Sequence, residues 1–141
     1  MSEPAILAAS RWGTAVFTVA AVAAAVSPTV LGRPALALDV ALFAAGVAAF
    51  AAGYLGGVNR SRREVVGIGG LFFLTGEVAP PDVRRALVGA LVVQVVVGLG
   101  TAVARPYTDL AAGVLVPMYG LGLCGLWASR HGRFPKRALE R

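Results

Sequence analysis

One cysteine and one histidine are all that this chain offers to thiol or metal chemistry. Cys124 alone can form no internal disulfide and no CxxC pair, and His131 cannot build a metal site by itself. With the only histidine in a basic tail, no Ser/His/Asp or Cys/His nucleophilic set can be assembled. Charge is scarce too: 14% of the 141 residues, against about 25% in a soluble domain. With apolar residues at 57%, the chain lacks the polar surface to stay in water, and the membrane class follows. No span holds paired carboxylates. The first span holds no acidic residue at all, which sets the chain apart from proton-coupled small multidrug transporters of similar size. The formal charge of +6 does not indicate nucleic acid, because the cations sit at the ends of apolar runs.

What is present is oily and regularly punctuated. Four windows reach the ~20 residues a spanning helix needs: 12–31, 35–58, 86–104 and 110–129. The expected fold class is all-α, a polytopic bundle of four transmembrane helices forming one domain over 1–141. Pro34 suits a first helical turn, and Asp82 and Thr108 suit the caps of the third and fourth spans. Trp12, Tyr107 and Trp127 fall near span ends, where amphipathic rings prefer to sit.

Lys and Arg set the orientation. Arg11, the central cluster Arg60, Arg62, Arg63, Arg84 and Arg85, and the tail cluster Arg130, Arg133, Lys136, Arg137 and Arg141 hold all but two of the 13 cations. Arg33 and Arg105 are the two exceptions. Both termini, the central loop and the basic tail 130–141 are therefore expected in the cytoplasm, with the plasma membrane as the location. A cleaved signal peptide is the competing reading, with residues 14–26 as its apolar core and "ALA" at 35–37 as its cleavage site. The run is long for such a segment.

The two halves look alike. "TVLGRP" at 29–34 matches "TAVARP" at 101–106, an acidic residue follows each, and Gly53 matches Gly125 at the same offset. Two tandem hairpins, each reading basic start, span, R-P turn, span, basic end, are the expectation, against the alternative that biased apolar sequence matches itself easily.

Between helices in lipid no hydrophobic force acts, so packing rests on small residues. Ala41, Ala45, Ala49, Gly53 and Gly57 form a four-residue stripe on the second span; Ala86, Ala90, Gln94, Gly98 and Ala102 form one on the third. Gln94 is the most polar side chain deep in any span and is expected at a helix–helix contact. Pro117 interrupts the fourth span and frees a carbonyl. Asp39 and Asp109 are expected to form rim ion pairs with Arg33 and Arg105, with an ion or proton site at Asp39 as the sharper alternative. "GLGLCG" at 120–125 spells G-x-G-x-x-G but lies inside a span, where no strand precedes it, so no cofactor is expected.

The run 65–75, "VVGIGGLFFLT", is too short to cross. It is expected in the central cytoplasmic loop, as a flat interfacial helix or a re-entrant segment, held by flanking arginines against anionic inner-leaflet lipids. Its large apolar residues Leu71, Phe72, Phe73 and Leu74 are a candidate partner patch.

The stretch from about 70 to 135, through "VRRAL", "TAVARPYT", "LVPM" and "GLW…RHG", resembles small, functionally uncharacterised four-helix membrane proteins of high-GC actinobacteria. The resemblance implies the four-helix fold and no catalytic residue. The functional expectation is a non-enzymatic accessory or scaffold protein that packs against a larger membrane partner or itself. A small oligomeric transporter or lipid-handling protein is the alternative.

Overall fold

A computed structural model describes residues 1–138, so Arg141 of the basic tail lies outside the described residues. Five α-helices and one 3₁₀ helix follow one another: α1 Glu3–Val26, α2 Pro28–Arg60, α3 Ile68–Phe73, α4 Pro81–Ala104, the 3₁₀ helix Asp109–Leu115, and α5 Pro117–His131. No strand forms among the described residues; a single bridge joins Glu64 to Lys136. Four helices are long and apolar enough to cross a membrane: α1, α2, α4, and the 3₁₀ helix with α5 taken as one.

Proline stands in the first turn of four of the five α-helices, at Pro4, Pro28, Pro81 and Pro117. Pro28, Pro81 and Pro117 each stand at the beginning of a helix, where a missing N–H costs nothing. This moves the first turn. The sequence places it at Arg33-Pro34, but the chain breaks at Ser27-Pro28 and Pro34 lies inside α2. Once Pro28 has opened the helix, Pro34 forfeits only one further backbone bond. The first span accordingly runs earlier than 12–31, and Trp12 is an exposed residue well inside α1. Asp82 lies in the first turn of α4 with Pro80 in the cap position. Thr108 precedes the 3₁₀ helix without capping it; its hydroxyl donates to Arg105 O instead.

The four spans form a ring. α1 lies beside α2 and α4, and α5 with its 3₁₀ segment lies beside α2 and α4; the most extensive pairing is α2 with α5. Both lateral pairs, α1–α4 and α2–α5, are parallel. Their registers differ. Gln94 meets Thr14 and Arg105 meets Ala25, both at a separation of 80 residues. Arg60 meets Gly132 at a separation of 72. The offset that relates the halves in sequence is thus the contact register of α2 on α5 alone, and the first and third spans do not share it.

The packing faces follow a heptad. α1 buries Ile6, Ser10, Thr14, Phe17, Ala21 and Ala24, and α4 buries Val83, Leu87, Leu91, Gln94, Gly98 and Thr101, with identical spacing. Alternating steps of three and four keep a seam facing its neighbour along the length of the pair. On α2 the buried line is Gly32, Asp39, Gly46 and Gly53, seven apart, with Ala35 and Gly57. The stripe read from sequence is corrected here: Ala41 and Ala45 are exposed. A four-residue step drifts around a helix faster than a seven-residue step, so the heptad line keeps contact where the tetrad line turns outward.

The core has three layers. One end holds Ile6, Leu71, Phe72, Val83, Leu87 and Trp127; the middle holds Phe17, Ala21 and Val116; the other end holds Ala24, Ala35 and Leu110. Trp127 is 1% exposed and so a core residue, not the membrane-surface anchor its position suggested. Tyr107 is fully exposed at the opposite turn.

Candidate functional site

Three features gather polar or charged groups. The first is at mid-bundle. Gln94 is fully buried, and its Nε2 donates to Thr14 Oγ1 on α1 at 2.7 Å. Its Oε1 accepts from the Gly120 N–H on α5 at 3.0 Å. One amide thus ties three helices. Pro117 makes the second bond accessible, because the break places the first turn of α5 next to α4, where N–H groups need outside partners. A Cβ at 120 would lie 2.6 Å from Gln94 Oε1, so a side chain there displaces the amide from this bond. One residue before, the Tyr119 hydroxyl donates to Ala9 O of α1 at 2.7 Å. A turn from Thr14 on α1, buried Ser10 Oγ has no partner among the described residues, and Trp127 Nε1 is likewise unpaired among them.

The second feature is Asp39. It is 4% exposed and stands on the heptad line of buried residues of α2. The expected rim ion pairs do not form: the one salt bridge among the described residues joins Arg60 to Glu64. Arg105 turns instead to the carbonyl end of α1, its Nη2 donating to Ala25 O at 3.1 Å. Its competitor is a row of carbonyls left free where α1 stops at Ser27. Asp109 opens the 3₁₀ helix, an acidic residue where a helix dipole favours one. Arg33 makes no ion pair among the described residues.

The third feature is the basic end, where α1 starts, α2 ends, α4 starts and α5 ends. Arg60 organises it. Its guanidinium donates to Ala128 O at 3.2 Å, Ser129 O at 3.4 Å and Gly132 O at 2.9 Å, pairs with Glu64 at 2.7 Å, and lies 5.0 Å from the Phe134 ring centre. A planar fork suits several carbonyls at once, and a cation at a helix C-terminus meets the negative end of its dipole. The tail is then held along the central loop: Val65 N–H donates to Pro135 O, Arg137 N–H to Arg63 O, and Arg133 N–H to Val78 O.

α3 belongs to this end. Leu71, Phe72 and Leu74 are buried and Phe73 is half exposed. The sequence-derived patch is therefore mostly a core element. Phe72 stacks on Phe50 with ring centres 4.3 Å apart and fills the space that a side chain at Gly125 would occupy. Leu71 lies over Gly57, where a Cβ would come within 2.7 Å of it. Leu74 closes α3 in the left-handed conformation, at φ 53°. Such a conformation costs about 1–2 kcal/mol for a residue with a Cβ, and complete burial of the side chain holds it there.

Of the other packing residues, Gly53 faces the Gly125 backbone, where an added Cβ would lie 2.6 Å from a carbonyl carbon. Gly98 faces Gly113 O in the same way at 2.5 Å. Tyr119, Gly120 and the carbonyl-binding role of Arg60 were missed in the sequence. "PMYG" could have flagged the first two, since a hydroxyl-bearing ring beside a proline break sits where backbone groups are free. Nothing local distinguishes Arg60 from Arg62 and Arg63. Among the described residues no three His, Cys, Asp or Glu side chains converge as metal ligands. Comparison with known families, characterised proteins and solved structures finds no match to this chain.

Proposed function

We propose that this chain is a non-catalytic accessory or scaffold protein of the plasma membrane that packs against a larger membrane partner or a second copy of itself. The observation that carries the reading is the state of Gln94. This fully buried amide has both its carbonyl and its amine engaged inside the bundle, so it serves cohesion and is not held open for a substrate. Meanwhile α1, α2 and α4 turn valine-rich faces outward, through residues such as Val19, Val30, Val96 and Val103. These faces supply area for lipid or for partner helices. The cation distribution supports termini and central loop on the cytoplasmic side, and it supports anionic inner-leaflet lipids as neighbours of α3, a short segment tucked under the bundle at that face.

Purification in a gentle detergent with mass spectrometry tests the proposal. A stoichiometric larger membrane protein, or a stable self-assembly without transport activity, is the expected result. Recovery of the chain as an oligomer that moves a solute in liposomes would replace it.

Asp39 favours a second reading, a small oligomeric transporter or lipid-handling protein. A buried carboxylate with no ion-pair partner among the described residues marks an ion or substrate path by default when it lies in a membrane span. Under that reading Asp39→Asn abolishes uptake; under the first it leaves partner binding unchanged.

A further inference from the structure

The basic end contains a cleft that the packing described above does not use. It has a volume of about 1040 Å³, just above the range for small-molecule sites, about 300–1,000 Å³. One wall is the loop between α3 and α4, the other is the tail at 133–135, and the first turn of α4 closes the base. The walls are fixed by backbone: Arg133 N–H donates to Val78 O at 2.9 Å and Val65 N–H to Pro135 O at 2.8 Å. Gly76 turns the loop through a positive φ of 71°, a conformation that glycine adopts at no steric cost.

The lining has three charged groups. Arg84 comes from α4 and holds Gly76 O through Nη1 at 3.4 Å. Arg133 comes from the tail, and Glu77 from the loop. No ion pair joins them among the described residues. Around them lie apolar groups, including Val78, Pro80, Phe134 and Pro135. Two arginines that line one cleft and form no ion pair among the described residues suit a phosphodiester, which guanidinium binds through paired N–H groups. A carboxylate in the same cleft rejects a second anion and accepts from a donor. The apolar walls suit the glycerol and first acyl carbons of an amphiphile, at the end of the bundle where apolar helices give way to charge.

We propose that this cleft is a lipid site for an anionic glycerophospholipid whose headgroup carries hydroxyl donors, of the phosphatidylglycerol type. Arg84 and Arg133 hold the phosphate, and Glu77 accepts from the headgroup hydroxyls. The proposal deepens the reading of the chain as a membrane protein whose basic end meets anionic lipid, and it rests on that reading.

The full chain in detergent is titrated with phosphatidylglycerol, phosphatidic acid, phosphatidylcholine or inorganic phosphate, and bound molecules are counted by native mass spectrometry. Phosphatidylglycerol is expected to bind at one equivalent, at least about tenfold more tightly than phosphatidylcholine, whose cationic headgroup opposes two arginines. Arg84→Gln with Arg133→Gln weakens it about tenfold or more, while Arg62→Gln with Arg63→Gln, the same charge change on exposed residues outside the cleft, weakens it less than about twofold. Either single variant, expected at about threefold, serves if the double variant does not fold. Glu77→Gln lowers the preference for phosphatidylglycerol over phosphatidic acid. Equal losses in the two double variants would show diffuse charge and overturn the site. So would displacement by inorganic phosphate at equal concentration, or an unchanged headgroup preference in Glu77→Gln. Whether the basic end faces the cytoplasm is read separately by thiol labelling at Ser61, so a failed site and a failed orientation give different results.

Discussion

Gln94 and Ser10 are two buried polar residues on facing helices with opposite energetic status. Gln94 has partners on both sides; Ser10 Oγ has none among the described residues. Gln94→Leu leaves Thr14 and Gly120 without their partners and is expected to cost about 0.5–2 kcal/mol, the span measured for polar contacts between membrane helices. Ser10→Ala removes a group that is desolvated without return, and is expected to be neutral or stabilising. Thermal unfolding in detergent, followed by circular dichroism, reads both. Only Gln94→Leu is expected to lower the midpoint; a destabilised Ser10→Ala would mean that its hydroxyl has a partner. Arg60→Ala removes a charged donor from three carbonyls and should cost about 1.5–3 kcal/mol. Arg60→Lys should recover only part, because a point charge cannot match a fork.

At the scale of elements, the pairing of α2 with α5 depends on backbone approach. A side chain at Gly53 meets the Gly125 main chain, which has no rotamer to yield. Gly53→Val is therefore expected to cost at least the 1–3 kcal/mol usual for overpacking, roughly, and to separate the two helices before the others. A disulfide or crosslink yield between α2 and α5 would report that separation; an unchanged yield would show that the contact is looser than drawn. α3 depends on Phe72. Phe72→Ala is expected to release α3 with the bundle intact, seen as faster tryptic cleavage at Arg62 and Arg63 while the helical signal stays constant. Cleavage at the wild-type rate would show that α3 does not hold the central loop.

For the whole molecule, the testable property is sidedness. With Cys124→Ala as background, single cysteines at Ser2 and Ser61 should resist a membrane-impermeant thiol reagent in intact cells, and one at the exposed Thr108 should react. Reaction at Ser61 from outside would invert the arrangement. The ring order bears on the same property, because α1–α4 and α2–α5 are parallel pairs, and parallel neighbours start from the same side.

Composition and four apolar windows were enough to make this chain an all-helical bundle with four candidate spans, and the depth of Gln94 was enough to place it between helices. These rest on quantities that are local or summed along the chain: transfer cost, length and the price of an unpaired amide. The break before α5 was legible at Pro117 for the same reason, since a missing N–H acts where it stands. The tertiary structure decided which of two prolines turned the first hairpin, because Pro28 and Pro34 are equivalent until the ends of α1 and α2 find their neighbours. It decided that the buried line on α2 runs through Gly32, Asp39, Gly46 and Gly53, because a face exists only relative to the helix that covers it. It put Leu71 and Phe72 inside, because the glycines that receive them, Gly57 of α2 and Gly125 of α5, are 68 residues apart in the chain and come together beside α3 only when the two helices pack.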